Sequence, residues 1–526
     1  MQLNKFAYAG KGASARTPTA LGTNPRALCR RGNGHWSWLD HDMVAEVFSH
    51  LDDRQLARVA NVDRRTFKLA RAAIQRFLGL SASQWDVFHA VLHKRESVLL
   101  MGAPGTGKSF LLKILRERVR APIVTASTGA AAEKIAARTL HSALGLGIGE
   151  KACAELVQKM RLPRNVYGQN IIVNMMGCRT LIIDEVSMLT AKILRLAEEV
   201  LVKVRGRLPQ LVVSGDPMQL RAVKHHYEGP FYRAELIKRL RPYVLLESFR
   251  QAENSRFLNI LNAARVGRAR REDELWLRAN FCAKIGEGAP KIFCRNYEVD
   301  RENDLQMRAL NTPASVYMPV IVGKLPQGIF PDSTHTARIK PGARVMLTRN
   351  LHEHADKGLH NGSCGVATAC DTGTVQVRFD NGTHAAITRY TQEFEEKDKV
   401  VATLAFMPLI LAWAVTVHRA QGSTLDTMYV DLGKAFEPGQ AYVALSRVRE
   451  AAHAQVDNLS LHHINKIDRE ALAFYQTCEK RSEKRAERRA EKARIRELSY
   501  QDVDESDPAL HAMMARIEAE EKQTLV

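Results

Sequence analysis

Gly102, Ala103, Pro104, Gly105, Thr106, Gly107, Lys108 and Ser109 follow the G-x-x-x-x-G-K-[ST] spacing of a phosphate loop. The glycines let backbone N–H groups turn inward around an anion, and a helix that starts at the loop adds the positive end of its dipole. Lys108 is placed to reach the β- and γ-phosphates of a nucleoside triphosphate, and Ser109 to set its hydroxyl on Mg²⁺. The flanks fit: Ser97–Met101 is apolar and suits a buried parallel strand, and Phe110–Val119 has helical apolar spacing.

A second cluster supplies acids. Leu181-Ile182-Ile183 runs into Asp184-Glu185, as expected at the C-terminal edge of a buried strand. Asp184 would hold Mg²⁺ through water, and Glu185 would orient and deprotonate an attacking water. A kinase would not need that second acid there, so the pair points to hydrolysis. The apolar run Leu211–Ser214 then leads into Gly215-Asp216-Pro217-Met218-Gln219-Leu220, where Gln219 can hydrogen-bond the γ-phosphate or the attacking water. Two arginines stand in reach of this chemistry: Arg250 in Ser248-Phe249-Arg250-Gln251, and Arg447 at the end of Tyr442-Val443-Ala444-Leu445-Ser446-Arg447. A guanidinium stabilises charge on a transferring phosphoryl group. Arg447 can do so only if a second domain closes over the same nucleotide. Taken singly, either arginine reads as a surface ion pair, and Gln219 as structural.

Alternating elements must hold these residues. Strand candidates Val98–Met101, Pro122–Thr125, Thr180–Ile183, Gln210–Ser214 and Tyr243–Leu246 alternate with helical patterns, which predicts an α/β fold with a parallel, doubly wound sheet over 80–250. A second α/β region is expected over 251–340 and 406–470. Between its halves, residues 341–405 are punctuated by glycines and contain the hairpin dipeptide Asn381-Gly382, so they read as a small inserted β-barrel. Residues 36–79 carry helical apolar spacing and read as a small all-α module. Residues 471–526 read as a charged helical tail, either solvated without a partner or in contact with nucleic acid.

The chain has 526 residues, 77 Lys and Arg against 57 Asp and Glu, and a net charge of +20, which calls for a polyanionic partner, nucleic acid ahead of membrane. Its eight cysteines form no C-x-x-C pair, which argues against zinc sites and a disulfide framework. Leu404–Val417, the longest apolar stretch, is too short and too broken by Pro408 to span a bilayer and reads as a buried strand. Residues 1–35 are basic and lack acids, which fits either a transit peptide or a disordered arm on nucleic acid.

In order, the chain shows Gln84 in Leu80-Ser-Ala-Ser-Gln-Trp, the phosphate loop, Thr125-Ala-Ser-Thr-Gly-Ala-Ala-Ala132 and Thr139-Leu-His-Ser142. The acid pair, Ser-Gly-Asp-Pro-Met-Gln-Leu, Ser-Phe-Arg-Gln, Thr416-Val-His-Arg-Ala-Gln-Gly-Ser-Thr-Leu425 and Tyr-Val-Ala-Leu-Ser-Arg follow. This series resembles the petite-integration-frequency (PIF) helicases and their RecD-like relatives of helicase superfamily one over about residues 80–460. The resemblance implies two RecA-like P-loop domains with a Src-homology-3-like (SH3-like) barrel inserted in the second. It implies ATP and Mg²⁺ as cofactors, with Gln84 reading the adenine and Lys108, Ser109, Asp184, Glu185, Gln219, Arg250 and Arg447 forming the hydrolytic site. Thr128, His141, Thr416 and His418 lie in motifs that grip a DNA single strand. The implied activity is 5'-to-3' translocation on single-stranded DNA and unwinding of forked duplex, in replication, repair, recombination or telomere maintenance. One departure is Arg221-Ala222, where the family usually has Pro-Pro.

The module at 38–70 resembles an F-box, through Leu39, Val44, Val47, Phe48, Leu51, Leu56, Val62, Phe67 and Leu69. That would imply docking to the Skp-type adaptor of a cullin ubiquitin ligase, and it offers the alternative function of a ligase substrate adaptor that engages DNA through its ATPase core. An intracellular location is expected, nuclear with the mitochondrion as alternative.

Overall fold

The computed structural model describes residue 75 and residues 78–498, apart from 136, 148, 150, 223–224, 250–254, 282–288, 326–334, 397–398 and parts of 350–360. The arm at 1–35, nearly all of the module at 36–79, Arg250 and the tail beyond 498 lie outside the described residues.

Six parallel strands form the first sheet: β1 (Val98–Gly102), β2 (Pro122–Ala126), β3 (Arg138–Thr139), β4 (Thr180–Asp184), β5 (Gln210–Gly215) and β6 (Arg241–Leu245), in the order β3-β2-β4-β5-β1-β6. β1 and β4 are buried along their whole length, as continuous apolar runs in a parallel sheet must be when both faces are covered. Register brings the chemistry to one edge. Met101 pairs with Gly215, Ala126 with Asp184, and Ile183 with Val213, so the turns after β1, β4 and β5 emerge side by side at the C-terminal ends of the strands. The helix Lys108–Arg118 starts within the phosphate loop and buries Leu111, Leu112 and Leu115. The expected strands are present within one or two residues. The two-residue β3 was not anticipated, because two residues carry no periodic signal.

The second sheet is smaller, with Ala414–Thr416, Lys291–Phe293, Met428–Asp431 and Ala454–Asp457 parallel in that order. Its helices close a core that includes Phe257, Ile260, Leu261, Tyr442, Val443 and Leu445. The apolar stretch 404–417, expected as one strand, is three: Lys399–Phe406, Leu409–Leu411 and Ala414–Thr416. Pro408 lacks the N–H a continuous ladder would need.

Antiparallel strands interrupt this unit. Five of them run in the order His384–Ile387, Val375–Phe379, Cys364–Cys370, Arg344–Leu347 and Leu409–Leu411, and Val320–Gly323 pairs with Lys399–Phe406 beside them. The hairpin at Asn381-Gly382 is present, with Gly382 at φ 83. Strands Ser315–Tyr317, Val320–Gly323 and Leu409–Leu411 fall outside 341–405, so the antiparallel part is longer than expected. Glycines mark its hairpin turns but not the strands that precede them.

The helix Arg469–Leu498 is not simply solvated. Ala471, Tyr475 and Cys478, spaced i, i+4 and i+7, are buried in the first sheet's core beside Phe231 and Tyr232. Further along, Val244 N–H donates to Ser482 Oγ at 3.2 Å, and Arg485 and Arg489 donate to Pro242 O at 2.8 Å and Tyr243 Oη at 2.7 Å. The helix thus covers the free edge of β6. The apolar start of the helix, where Leu472 and Phe474 also pack on this core, was overlooked beside the repeated charges that begin at Glu479. Among the described residues, no helix is long and apolar enough to cross a membrane.

Ile183 is fully buried one residue before the acid pair. Ile183→Ala is expected to lower stability by about 2–5 kcal/mol, the cost of an unfilled core cavity, measured by urea unfolding.

Candidate active site

The phosphate loop is shaped so that only glycine fits at its ends. A Cβ at Gly102 would stand 2.6 Å from Thr106 Oγ1 and 2.8 Å from Leu245 O, and one at Gly107, where φ is 77, would stand 2.3 Å from Gln84 Nε2. Lys108 is buried and donates to Gly102 O at 2.8 Å and Ala103 O at 2.9 Å. Burial lowers its proton affinity, and the charges of Asp216, Glu185 and Asp184 oppose that shift. Three carboxylates thus face one ammonium.

Ser109 Oγ donates to Asp184 Oδ2 at 2.9 Å, so a hydroxyl and a carboxylate, the hard oxygen donors that Mg²⁺ prefers, already meet. Glu185 follows in the left-handed region at φ 52, uncommon for a residue with a Cβ, and its N–H donates to Asp184 Oδ1 at 2.9 Å. This kink turns the Glu185 side chain away from the strand direction. Gly422 of the second unit faces it: a Cβ there would lie 3.8 Å from Glu185 Oε1. Gln421 Nε2 donates to Ser187 Oγ at 3.2 Å across the same boundary. Gln219 is 4% exposed and its Oε1 has no hydrogen-bond partner among the described residues. A buried orphan acceptor at the end of β5 fits a group that takes a hydrogen bond from the attacking water. Donors, acceptors and cradle therefore fit Mg–ATP.

Gln84 is buried and donates to Thr106 O at 3.3 Å, which sets it against the loop. Beside it, Phe249 is 58% exposed, and its N–H donates to Gly105 O at 2.8 Å. Sequence reasoning passed over this ring, although its place next to Arg250 was a signal.

Arg447 is buried just after the helix Gln440–Leu445, and three of its bonds are made within its own unit. Nε donates to Val443 O at 2.7 Å, Nη2 to Ser446 Oγ at 2.6 Å and Nη1 to Ser423 O at 3.2 Å. The arginine that bridges to the first unit is Arg265, which the sequence reading missed. Its Nη2 lies 2.7 Å from Asp216 Oδ1 and its Nε 3.2 Å from Oδ2, both groups being buried. Burial works against the charged guanidinium, but Asp216 more than offsets it and holds the group above its ordinary range. A signal was available: Arg265 continues the apolar stripe Phe257–Leu261 at i+4, where a charge implies a buried partner.

Of the four residues implied to grip a strand, two meet. Thr128 and His418 line one groove of about 320 Å³ with Met188, Arg349, Asn361 and Gln421. This groove draws on both sheets and on the antiparallel insert; no motif pointed to Arg349 or Asn361. His418 Nε2 lies 2.8 Å from Glu437 Oε2. Thr416 accepts from Arg419 N–H at 3.4 Å and caps a short helix. His141 is not among the residues that line this groove, and burial pushes its pKa down against the pull of Glu228, which favours a neutral ring. Arg221 forms an ion pair with Asp468 and packs over Tyr232, so the departure from Pro-Pro gives the last helix an anchor.

A P-loop nucleotide-hydrolase site between two parallel α/β units is what these residues define. A family model described as an AAA domain matches residues 79–280. The ATP-dependent DNA helicase PIF1 of Danio rerio is 32% identical over 425 residues, covering 76% of this chain and 64% of that protein. The Homo sapiens protein of the same name is 32% identical over 424 residues with the same coverage. The match thus spans less than two thirds of these curated relatives. Among solved structures, the Pif1 helicase from Candida albicans is 30% identical, with a TM-score of 0.64, over 76% of this chain and 99% of that one. Bacteroides Pif1 bound to ssDNA is 28% identical with a TM-score of 0.65, over 76% and 96%. The chain belongs to the PIF1-like family of ATP-dependent DNA helicases.

Two variants test the site. Glu185→Gln is expected to keep ATP binding and to lose about 10²–10⁴-fold in turnover, the usual worth of a positioned base, whereas Lys108→Ala loses binding and turnover together. Nucleotide affinity and phosphate release measured separately decide this. Gly439 stands at φ 79, with its Cβ position 2.7 Å from Met218 O. Gly439→Ala should therefore push the second unit off the Gln219 turn, reducing turnover more than ATP affinity.

Proposed function

We propose that this chain is an ATP-dependent DNA helicase that moves 5'-to-3' on single-stranded DNA and unwinds duplex at forks. The observation that carries the reading is the arrangement of one hydrolytic site and one groove across the same two units. Gln421 makes this plain: it hydrogen-bonds Ser187, two residues from Glu185, and also lines the groove with Thr128 and His418. Support comes from relatives whose structures are described as bound to ssDNA, in complex with ADP-AlF3 and ssDNA, or at forked dsDNA.

On this reading Lys108 and the loop N–H groups bind the phosphates, and Ser109 and Asp184 would hold Mg²⁺, which would supply positive charge to the phosphates. Glu185 takes the proton of the attacking water, and Gln219 orients that water. Arg250 and Arg447 stabilise the transferring phosphoryl group, and Arg447 must first release Ser423 and Ser446. Gln84, with Phe249, faces the base. Closure on ATP and opening after hydrolysis change the groove, so the strand advances. Thr128, His418, Thr416 and His141 are the strand contacts, and the +20 charge favours phosphate binding without sequence choice. The boundaries 80–250, 251–340 with 406–470, and an SH3-like barrel near 341–405 are the domain reading that goes with this. Nuclear work in repair, recombination or telomere maintenance, and a Skp-type adaptor on residues 38–70, rest on sequence pattern alone.

Strand separation on forks with a single tail tests the direction. The expected result is unwinding of substrates with a 5' tail, dependent on ATP and abolished by Lys108→Ala. Unwinding confined to 3' tails, or none on any fork, would contradict the proposal.

A further inference from the structure

We infer that Arg265 is a positioning residue for the Gln219 turn, and that the helix Arg469–Leu498 holds it in place through Tyr475. The inference rests on the hydrolytic reading above and adds to it a part of the chain that contains no nucleotide motif.

Asp216 lies three residues before Gln219 and is fully buried. Its main-chain oxygen accepts Gln219 N–H at 3.1 Å, and its Oδ1 accepts Met218 N–H at 3.1 Å, so this residue shapes the turn that carries Gln219. The remaining contacts of the carboxylate come from the second unit: two Arg265 donors, and Tyr442 Oη at 3.5 Å from Oδ2. The shape of the turn is therefore tied to the position of the second unit.

Tyr475 closes this ion pair off. The Arg265 guanidinium stands 4.1 Å from the centre of its ring, and the two residues are 6% and 4% exposed. A cation held over a ring away from water is attracted more strongly than one at the surface. Tyr475 in turn is fixed because its helix is anchored to the first unit at its start. Arg221 pairs with Asp468, and Arg233 makes a two-pronged contact with Glu470, Nε to Oε1 at 2.7 Å and Nη2 to Oε2 at 2.9 Å. One buried junction thus joins the sensor turn, the second unit and the last helix. Separation of the units by a few ångströms would break the Asp216–Arg265 pair, and each group would lose its hydrogen-bonded partner, which is unfavourable. The junction makes the turn adopt its working shape only when the units are together. Arg265 acts through Gln219 and touches no reacting atom.

The test uses the full chain, with nucleotide affinity, kcat, KM and melting temperature measured for each protein. Tyr475→Leu fills the space without a π face. It is expected to lower kcat roughly 3- to 30-fold, the range a desolvated cation–ring contact allows, with ATP affinity unchanged. Tyr475→Phe keeps the ring, loses only the hydroxyl's contact with Arg265, and is expected to lower kcat less than Tyr475→Leu does. Arg265→Gln, which leaves Tyr475 packed, should lower kcat as well and serves if Tyr475→Leu does not fold. A lower melting temperature with unchanged kcat in Tyr475→Leu and Arg265→Gln would show that the junction is only structural, and would overturn the inference alone. Absence of ATP turnover in the unaltered chain would overturn the hydrolytic reading and this inference with it.

Discussion

Charge withdrawn from water is the constraint on which this structure depends. Lys108, Asp184 and Asp216 are buried at the carboxyl edge of one sheet, and Arg265 is buried against them from the second unit. Ions in such a place persist only with partners at hydrogen-bond distance. Lys108 finds loop carbonyls and the field of three acids; Asp184 finds Ser109 and the Glu185 N–H; Asp216 finds Arg265. The last pairing crosses from one α/β unit to the other, so electrostatic satisfaction of the first unit depends on the second.

The same constraint bears on the proposed motor action. A nucleotide brings several negative charges to Lys108, and its hydrolysis removes part of them, which alters the balance that the surrounding carboxylates must meet. Groups that span the units sense that change: Gln421 on Ser187, Gly439 against Met218 and Arg265 on Asp216. The groove with Thr128 and His418 lies along this boundary, and relative motion of the units is therefore also motion of the groove walls. Nothing beyond packed contacts and paired charges is needed to couple the two.

Much of this was legible in the sequence. The phosphate loop and acid pair carry their chemistry in residue type and spacing, and buried parallel strands show as continuous apolar runs, so β1, β4 and β5 and the turns after them were found directly. Cross-unit contacts were not legible. Arg265 looks like any arginine near a helix end until the fold brings Asp216 to it, and the motif around Arg447 does not disclose its bonds to Val443, Ser446 and Ser423. Arg349 and Asn361 lie in the loop between Arg344–Leu347 and Cys364–Cys370, inside the expected 341–405 span, and reach the groove only because the fold lays that loop against Thr128 and His418. The last helix drew attention to its charges from Glu479 on, while its apolar start at Ala471–Cys478 went unread. Period and motif report local chemistry, whereas a site between domains is fixed by contacts hundreds of residues apart.

The central claim is that one boundary serves both nucleotide and DNA. The most direct measurement is the steady-state rate of ATP hydrolysis by the full chain at saturating Mg–ATP as single-stranded DNA is added. The account predicts a rate that rises with DNA to a plateau and falls back when Gln421→Ala breaks the contact to Ser187. A rate indifferent to DNA at every concentration, in a chain that hydrolyses ATP, would contradict it.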